Sequence, residues 1–180
     1  QQEWIGELPS GWDTVSLRDV LIERKELNKL RQETNILSVT NDRGVINYRD
    51  KGNVGNKASD DIERYKRVYK GDIVANSMNV IIGSVGISPE DGVLSPVYIV
   101  MRPANDVDTR FYDYIFKAKG FQAQLKRIGY GILDHRMRIP WDNLKMQRLP
   151  KPDYKTQQKI ADYLDTETAQ IDNLIAKQER

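Results

Sequence analysis

The sequence contains no cysteine. That excludes disulfides and thiolate-ligated metal, and it fits a reducing compartment. A single histidine, His135, leaves no His-rich metal site and no chemistry built on a histidine pair. No apolar run approaches the roughly 18 residues a membrane span requires. The opening Gln1-Gln2-Glu3-Trp4 lacks both the basic and the apolar region of a secretory signal, so a cytoplasmic location is expected. The first residue is not Met, so further residues are expected ahead of Gln1. There is no Gly-rich phosphate cradle followed by Lys-Ser/Thr, and no internal repeat.

What is present is an uneven charge. The 180 residues carry a net charge of only +2, but residues 110–151 alone hold 10 Lys/Arg against 3 Asp/Glu. Residues 1–109 are net −3 and residues 152–180 net −2. A basic block inside a slightly acidic chain is a candidate polyphosphate footprint. A charge run of this kind also arises as an ordinary solvated face. Within the block, Lys126-Arg127-Ile128-Gly129-Tyr130-Gly131 leads to His135-Arg136-Met137-Arg138. Two glycines around Tyr130 let the backbone approach a partner closely. Arg136 and Arg138 share a face of an extended segment. Arginine suits a bidentate grip on guanine or phosphate. Pairing of Arg136 and Arg138 with Asp134 and Asp142 is the competing explanation.

The hydropathy pattern predicts an α+β fold, with several short strands, one helix among them and one at the end. Helices are expected over Leu17–Leu30 and Thr109–Arg127, with a helix start at Ser59–Glu63. Strands are expected at Thr14–Leu17, Ile36–Val39, Val45-Ile46, Ile73–Ala75, within Val80–Ile87, at Val93–Met101 and near Leu149. Leu149-Pro150-Lys151-Pro152 reads as a hinge into an amphipathic helix, Gln157 to Arg180. Residues 1–150 are thus expected as a globular domain, and 151–180 as hinge and helix. Ile160, Leu164, Ile171 and Leu174 form a 4-3 seam suited to a coiled coil, interrupted by Glu167. A helix packing on its own domain shows the same pattern.

Catalytic signals are weak. Ile82-Gly83-Ser84-Val85-Gly86 lacks the third glycine of a dinucleotide loop. Asn76-Ser77-Met78-Asn79 has a superficial likeness to the base-holding tetrapeptide of amino-methyltransferases but lacks its prolines and its aromatic. His135 has no neighbouring nucleophile, so a base-edge or phosphate contact and a plain surface histidine remain its two readings.

A set of short segments, in order, resembles one half of the specificity subunit of type I restriction–modification systems. They are Leu8-Pro9-Ser10-Gly11-Trp12; Gly44-Val45-Ile46; Tyr69-Lys70-Gly71-Asp72-Ile73-Val74-Ala75-Asn76-Ser77-Met78; and Asp91-Gly92-Val93-Leu94-Ser95-Pro96-Val97-Tyr98. Gly129-Tyr130-Gly131-Ile132, Arg136-Met137-Arg138-Ile139, Leu149-Pro150-Lys151-Pro152 and Gln157–Asp165 follow, with Ile171–Ile175 behind them. The resemblance implies a target-recognition domain that reads one half of a split sequence in double-stranded DNA. It implies a long helix that packs antiparallel on a second such helix. It also implies a non-catalytic chain without a cofactor of its own. S-adenosylmethionine, ATP and magnesium would belong to partner modification and restriction subunits. One recognition domain and the start of one helix imply either a fragment or a half-sized subunit that self-associates. Gln157 stands where the family usually has Glu, a change expected to be mild.

Combining the two lines of reasoning, Arg136, Arg138 and His135 are the expected base readers. Lys126 and Arg127 are expected on phosphates, with Tyr130 between the glycines. Arg43, Asn47, Arg49 and Asn79 are further loop candidates. A non-catalytic assembly platform, with the basic block meeting an acidic protein, is the alternative, and steep salt dependence of DNA binding separates the two.

Overall fold

Alternation along two central strands explains the architecture. In a computed structural model describing residues 4–52, 61–129 and 137–178, Ile73, Ala75, Ile99 and Met101 join one buried cluster. Val74 and Val100, between them in sequence, join a second cluster on the opposite side. Successive strand side chains point to opposite faces, so this sheet is covered on both.

The chain opens with β1 (Asp13–Ser16), the single-turn α1 (Leu17–Val20) and β2 (Leu21–Glu23). A hairpin follows, β3 (Leu37–Thr40) and β4 (Gly44–Asn47). Next come β5 (Lys66–Val68), β6 (Ile73–Asn76), β7 (Val85–Ile87), β8 (Gly92–Leu94) and β9 (Tyr98–Pro103). Two helices, α2 (Thr109–Lys117) and α3 (Lys119–Ile128), precede the short α4 (Trp141–Leu144), β10 (Arg148–Lys151) and the long α5 (Tyr154–Gln178). The four-stranded sheet has the order β2-β9-β6-β7 and is antiparallel throughout. Its first face packs on α2 and α3 through Phe111, Tyr112, Phe116, Phe121 and Leu125. Its second face packs on the β3–β4 hairpin and on β5–β8 through Leu37, Val39, Val45, Val68 and Leu94. The hairpin crosses β7 closely: a Cβ on Gly86 would lie 2.9 Å from Gly44 Cα and from Val45 N.

Three expectations are corrected. The helix predicted from Leu17 ends at Val20, because Leu21, Ile22 and Glu23 pair with Pro103, Arg102 and Met101 of β9. The gain from completing a sheet overrides the local helical pattern. The helix predicted over Thr109–Arg127 breaks at Ala118, whose backbone is extended. There the buried Gln122 amide donates to Phe116 O and Lys117 O, both at 3.3 Å, satisfying carbonyls at the end of α2. The break brings Phe116 and Phe121 edge to face in the core at 5.4 Å. Of the helix start expected at Ser59–Glu63, residues 59 and 60 lie outside the described residues, and Asp61–Glu63 are not helical.

The segment expected as a hinge is built into the globule. Arg148–Lys151 pair with β1, Pro152 is buried, and Gln157 and Ala161 are fully buried on the first turns of α5. Gln157 Oε1 accepts from Asp108 N–H at 3.0 Å, and its Nε2 donates to Pro152 O at 2.9 Å and Asp106 O at 3.4 Å. Arg110 clamps the next turns. Its guanidinium reaches Asp162 at 2.7 Å, Asp165 at 2.9 Å and Asp108 at 2.7 Å. The Tyr114 hydroxyl donates to Asp165 at 2.7 Å. The Thr168 hydroxyl lies 3.4 Å from the same Tyr114 hydroxyl, and residues 169–178 of α5 are exposed.

Candidate nucleic-acid interface

The second face of the sheet carries a groove of about 680 Å³. One wall is β3 with its turn to β4, including Ser38, Thr40, Asn41 and Arg43. The other is the turn after β6, with Asn76, Met78, Asn79 and Ile82. Tyr48, Lys51, Tyr65 and Tyr98 also line it. The turn Asn41–Gly44 is set by the Thr40 hydroxyl, which accepts from Arg43 N–H at 3.1 Å, and by Gly44 at φ +66°. Tyr98 and Ser38 share a hydrogen bond through their hydroxyls at 3.1 Å, joining β9 to β3 beneath the groove.

Cations rim this surface. Arg43 donates to Asp50 O at 3.1 Å and its Nε lies 3.7 Å from Asp42, so its guanidinium is steered by its own loop. The Lys51 ammonium sits over the Tyr48 ring, 4.7 Å from its centroid. Lys66 donates to Tyr98 O at 2.7 Å. Burial holds the Lys66 ammonium below the usual lysine range, and the like charges of Arg138 and Lys25 push the same way, against Glu23. Arg138, exposed, therefore stands within electrostatic reach of Lys66. Its neighbour Ile139 donates its N–H to Ser77 O at 2.8 Å, which brings the end of the basic segment beside the Asn76–Ile82 wall.

The expected site residues are thus distributed as follows. Arg43 and Asn79 line the groove, whereas Arg138 does not line it, although its neighbour Ile139 bonds Ser77 of the adjoining turn. Lys126 and Arg127 are exposed on the last turn of α3. Asn47 is spent on local structure: its Nδ2 donates to Asn35 Oδ1 at 2.9 Å and its Oδ1 accepts from Arg49 N–H at 3.0 Å. Arg49 is exposed outside the groove. Tyr130, His135 and Arg136 lie outside the described residues. Of the seam residues, Ile160 packs against the core of its own domain, and Leu164 is half-buried. Ile171 and Leu174 are 54% and 60% exposed. Sequence reasoning missed Tyr48, Lys51, Met78, Ile82 and Tyr98. The available signal is the quartet Asn76-Ser77-Met78-Asn79, a polar turn that carries one apolar side chain and supplies three residues of the groove wall.

Chemically, the surface offers amides and hydroxyls for base edges, apolar side chains for methyl groups and cations for phosphates. Among the described residues no cluster of three His, Asp or Glu could hold a metal, and no helix is long and apolar enough to cross a membrane.

The model of the type I restriction modification DNA specificity domain matches residues 9–179. The chain belongs to this family. Solved structures share the fold. An HsdS subunit from Thermoanaerobacter tengcongensis superimposes with a TM-score of 0.63 at 17% identity, over 96% of this chain and 41% of that one. A chain from a structure of type I R-M complex assembly and conformational transition gives 0.65 at 16%, over 96% and 42%. The type I S subunit from M. genitalium gives 0.58 at 15%, over 94% and 43%. This specificity domain therefore spans about two-fifths of the length of those chains. No curated protein matches it. The α+β fold with a long C-terminal helix is the one the sequence predicted, and the assembly-platform alternative is not favoured.

Proposed function

We propose that this specificity domain is one target-recognition half of a type I specificity subunit. It reads one half of a bipartite sequence in double-stranded DNA, is non-catalytic, and works in the cytoplasm. Its partners are a modification subunit that uses S-adenosylmethionine and a restriction subunit that uses ATP and magnesium. The match of the family model to residues 9–179 carries this reading. The cation-rimmed groove supports it, since base edges need a concave polar surface and phosphates need cations. Lys126, Arg127 and Arg138 take phosphate and base contacts at one side, with Tyr130, His135 and Arg136 between them in sequence. Residues 1–150 with the first turns of α5 form the reading body. The exposed Ile171–Leu174 stretch packs against a second such helix, from another copy or from the other half of a longer subunit.

The test is methylation. The chain is mixed with the modification subunit and S-adenosylmethionine, and the DNA is sequenced for methylated adenine. A split motif is expected. A symmetric one means two copies reading identical half-sites. A folded chain that directs no methylation and binds no duplex at low salt refutes the proposal.

A further inference from the structure

The turn from Asn76 to Ser84 is fixed along its backbone and through the Asn76 and Ser84 side chains, while among the described residues the groove-lining Asn79 side chain has no hydrogen-bond partner. Asn76 N–H donates to Ser84 O at 2.9 Å, Asn79 N–H to Asn76 O at 3.0 Å, and Ser84 N–H to Asn79 O at 3.2 Å. Asn76 Oδ1 accepts from Met78 N–H at 3.0 Å. Ser77 ties the turn to two further segments, donating through its hydroxyl to Val97 O at 2.8 Å and accepting from Ile139 N–H. Gly83, at φ +86°, lets the chain double back into β7. A wall held at this many points is preorganised, so its side chains present a fixed pattern to a ligand.

Asn79 is the informative member. It stands just before the 3-10 turn Val80–Ile82, where an asparagine side chain ordinarily caps, yet it makes no cap hydrogen bond. Among the described residues, no partner takes up its amide. On either side of it, Met78 and Ile82 are 41% and 56% exposed and line the same groove. An amide whose donor and acceptor are both without a partner among the described residues, beside two apolar side chains, is a chemical pattern with a complement. In the major groove adenine alone offers an acceptor and a donor that an asparagine amide can bridge, N7 and the N6 amino group. Thymine, its pair, presents the one methyl group there. A guanine reader needs a cation aimed inward, whereas Arg43 is steered by Asp42 and Asp50 and Lys51 lies over Tyr48.

We infer that the Asn76–Ile82 wall selects an A·T base pair, with the Asn79 amide bridging adenine N6 and N7 and with Met78 and Ile82 packing on the thymine methyl. This rests on the proposal that the groove reads duplex DNA.

The test enriches bound duplexes from a random pool with the wild-type chain and with Asn79→Ala. Circular dichroism first confirms that the variant is folded. The wild-type motif is expected to contain an A·T position with about 10- to 100-fold discrimination, which Asn79→Ala flattens while sparing the rest. Deoxyuridine in place of that thymidine removes only the methyl group. It should weaken wild-type binding roughly fourfold and leave binding by the Met78→Ala/Ile82→Ala double variant unchanged. A wild-type motif without an A·T pair overturns the inference, as does an Asn79→Ala motif identical to wild type or an equal deoxyuridine penalty in both proteins. A wild-type chain that enriches no motif overturns the DNA reading itself and the inference with it.

Discussion

Replacing Gln157 by glutamate tests how tightly the start of α5 is knotted into the domain. The side chain is fully buried, with its acceptor on Asp108 N–H and its donor shared between Pro152 O and Asp106 O. Gln157→Glu preserves the acceptor and turns the donor into a second oxygen facing two carbonyls. Two hydrogen bonds at about 1 kcal/mol each are lost, and the carboxylate is left desolvated against oxygen, so a cost of about 3 kcal/mol is expected at neutral pH. For a chain of this size that is a fall in Tm of roughly 6–12 °C. The sign of the pH effect follows from the same geometry. Burial beside carbonyls raises the folded-state pKa of the introduced carboxyl above its unfolded value of about 4.3. Protonation restores an O–H donor, so the deficit is smallest below the unfolded pKa. It grows as pH rises and is complete above the raised folded pKa. The assay is thermal unfolding of both proteins by circular dichroism at pH 4, 5.5 and 7.5. A Tm difference below about 2 °C at pH 7.5, or one that does not change with pH, would falsify the burial argument.

Other outcomes follow from single contacts. Arg110→Ala removes the clamp between α2 and α5. Because the side chain is more than a third exposed, the loss is discounted for screening to about 1–2 kcal/mol at low salt. It should shrink in 1 M NaCl, and a salt-independent loss of Tm would point to packing instead. Gly86→Ala drives a methyl into the backbone of Gly44 and Val45 and should cost about 2–3 kcal/mol, read as a lower urea midpoint. An unchanged midpoint would mean the hairpin yields freely. Arg138→Ala should weaken binding to the preferred half-site about 5- to 100-fold and to random duplex by less. Equal losses on both would reassign Arg138 to phosphate.

Legibility in the sequence followed the range of the interaction. The β3–β4 hairpin could be read because Asn41-Asp42-Arg43-Gly44 is a local turn between apolar runs, and α5 because its pattern persists for many residues. The helix expected from Leu17 failed because β9, some eighty residues away, offers Leu21–Glu23 an edge to pair with. The break at Ala118 was invisible because it depends on a Gln122 amide reaching back to carbonyls and on two phenylalanines meeting in the core. For the groove, the sequence named Arg43 and Asn79 separately but gave no means to join them. Their proximity depends on how the hairpin lies across the sheet, which in turn depends on Gly86 having no side chain. Asn47 shows why asparagine is common in turns: its amide bonds Asn35 and the Arg49 N–H in its own neighbourhood, contacts that its place in the sequence does not display.

The two faces of the central sheet divide the work. Ile73, Ala75, Ile99 and Met101 pack against α2 and α3, and α2 in turn holds α5 through Arg110, Tyr114 and Asp108. Val74 and Val100 pack against the hairpin whose turn forms one wall of the groove. The groove and the helix are therefore attached to opposite sides of the same four strands. A close-packed sheet deforms little, so the direction in which α5 leaves the domain is fixed relative to the groove. Under the proposed reading of a split DNA site that property matters, since the spacing between half-sites would be set by how rigidly each reading surface is joined to its spacer. Loosening the Arg110 clamp should then blur the spacing between half-sites before it weakens the reading of either one.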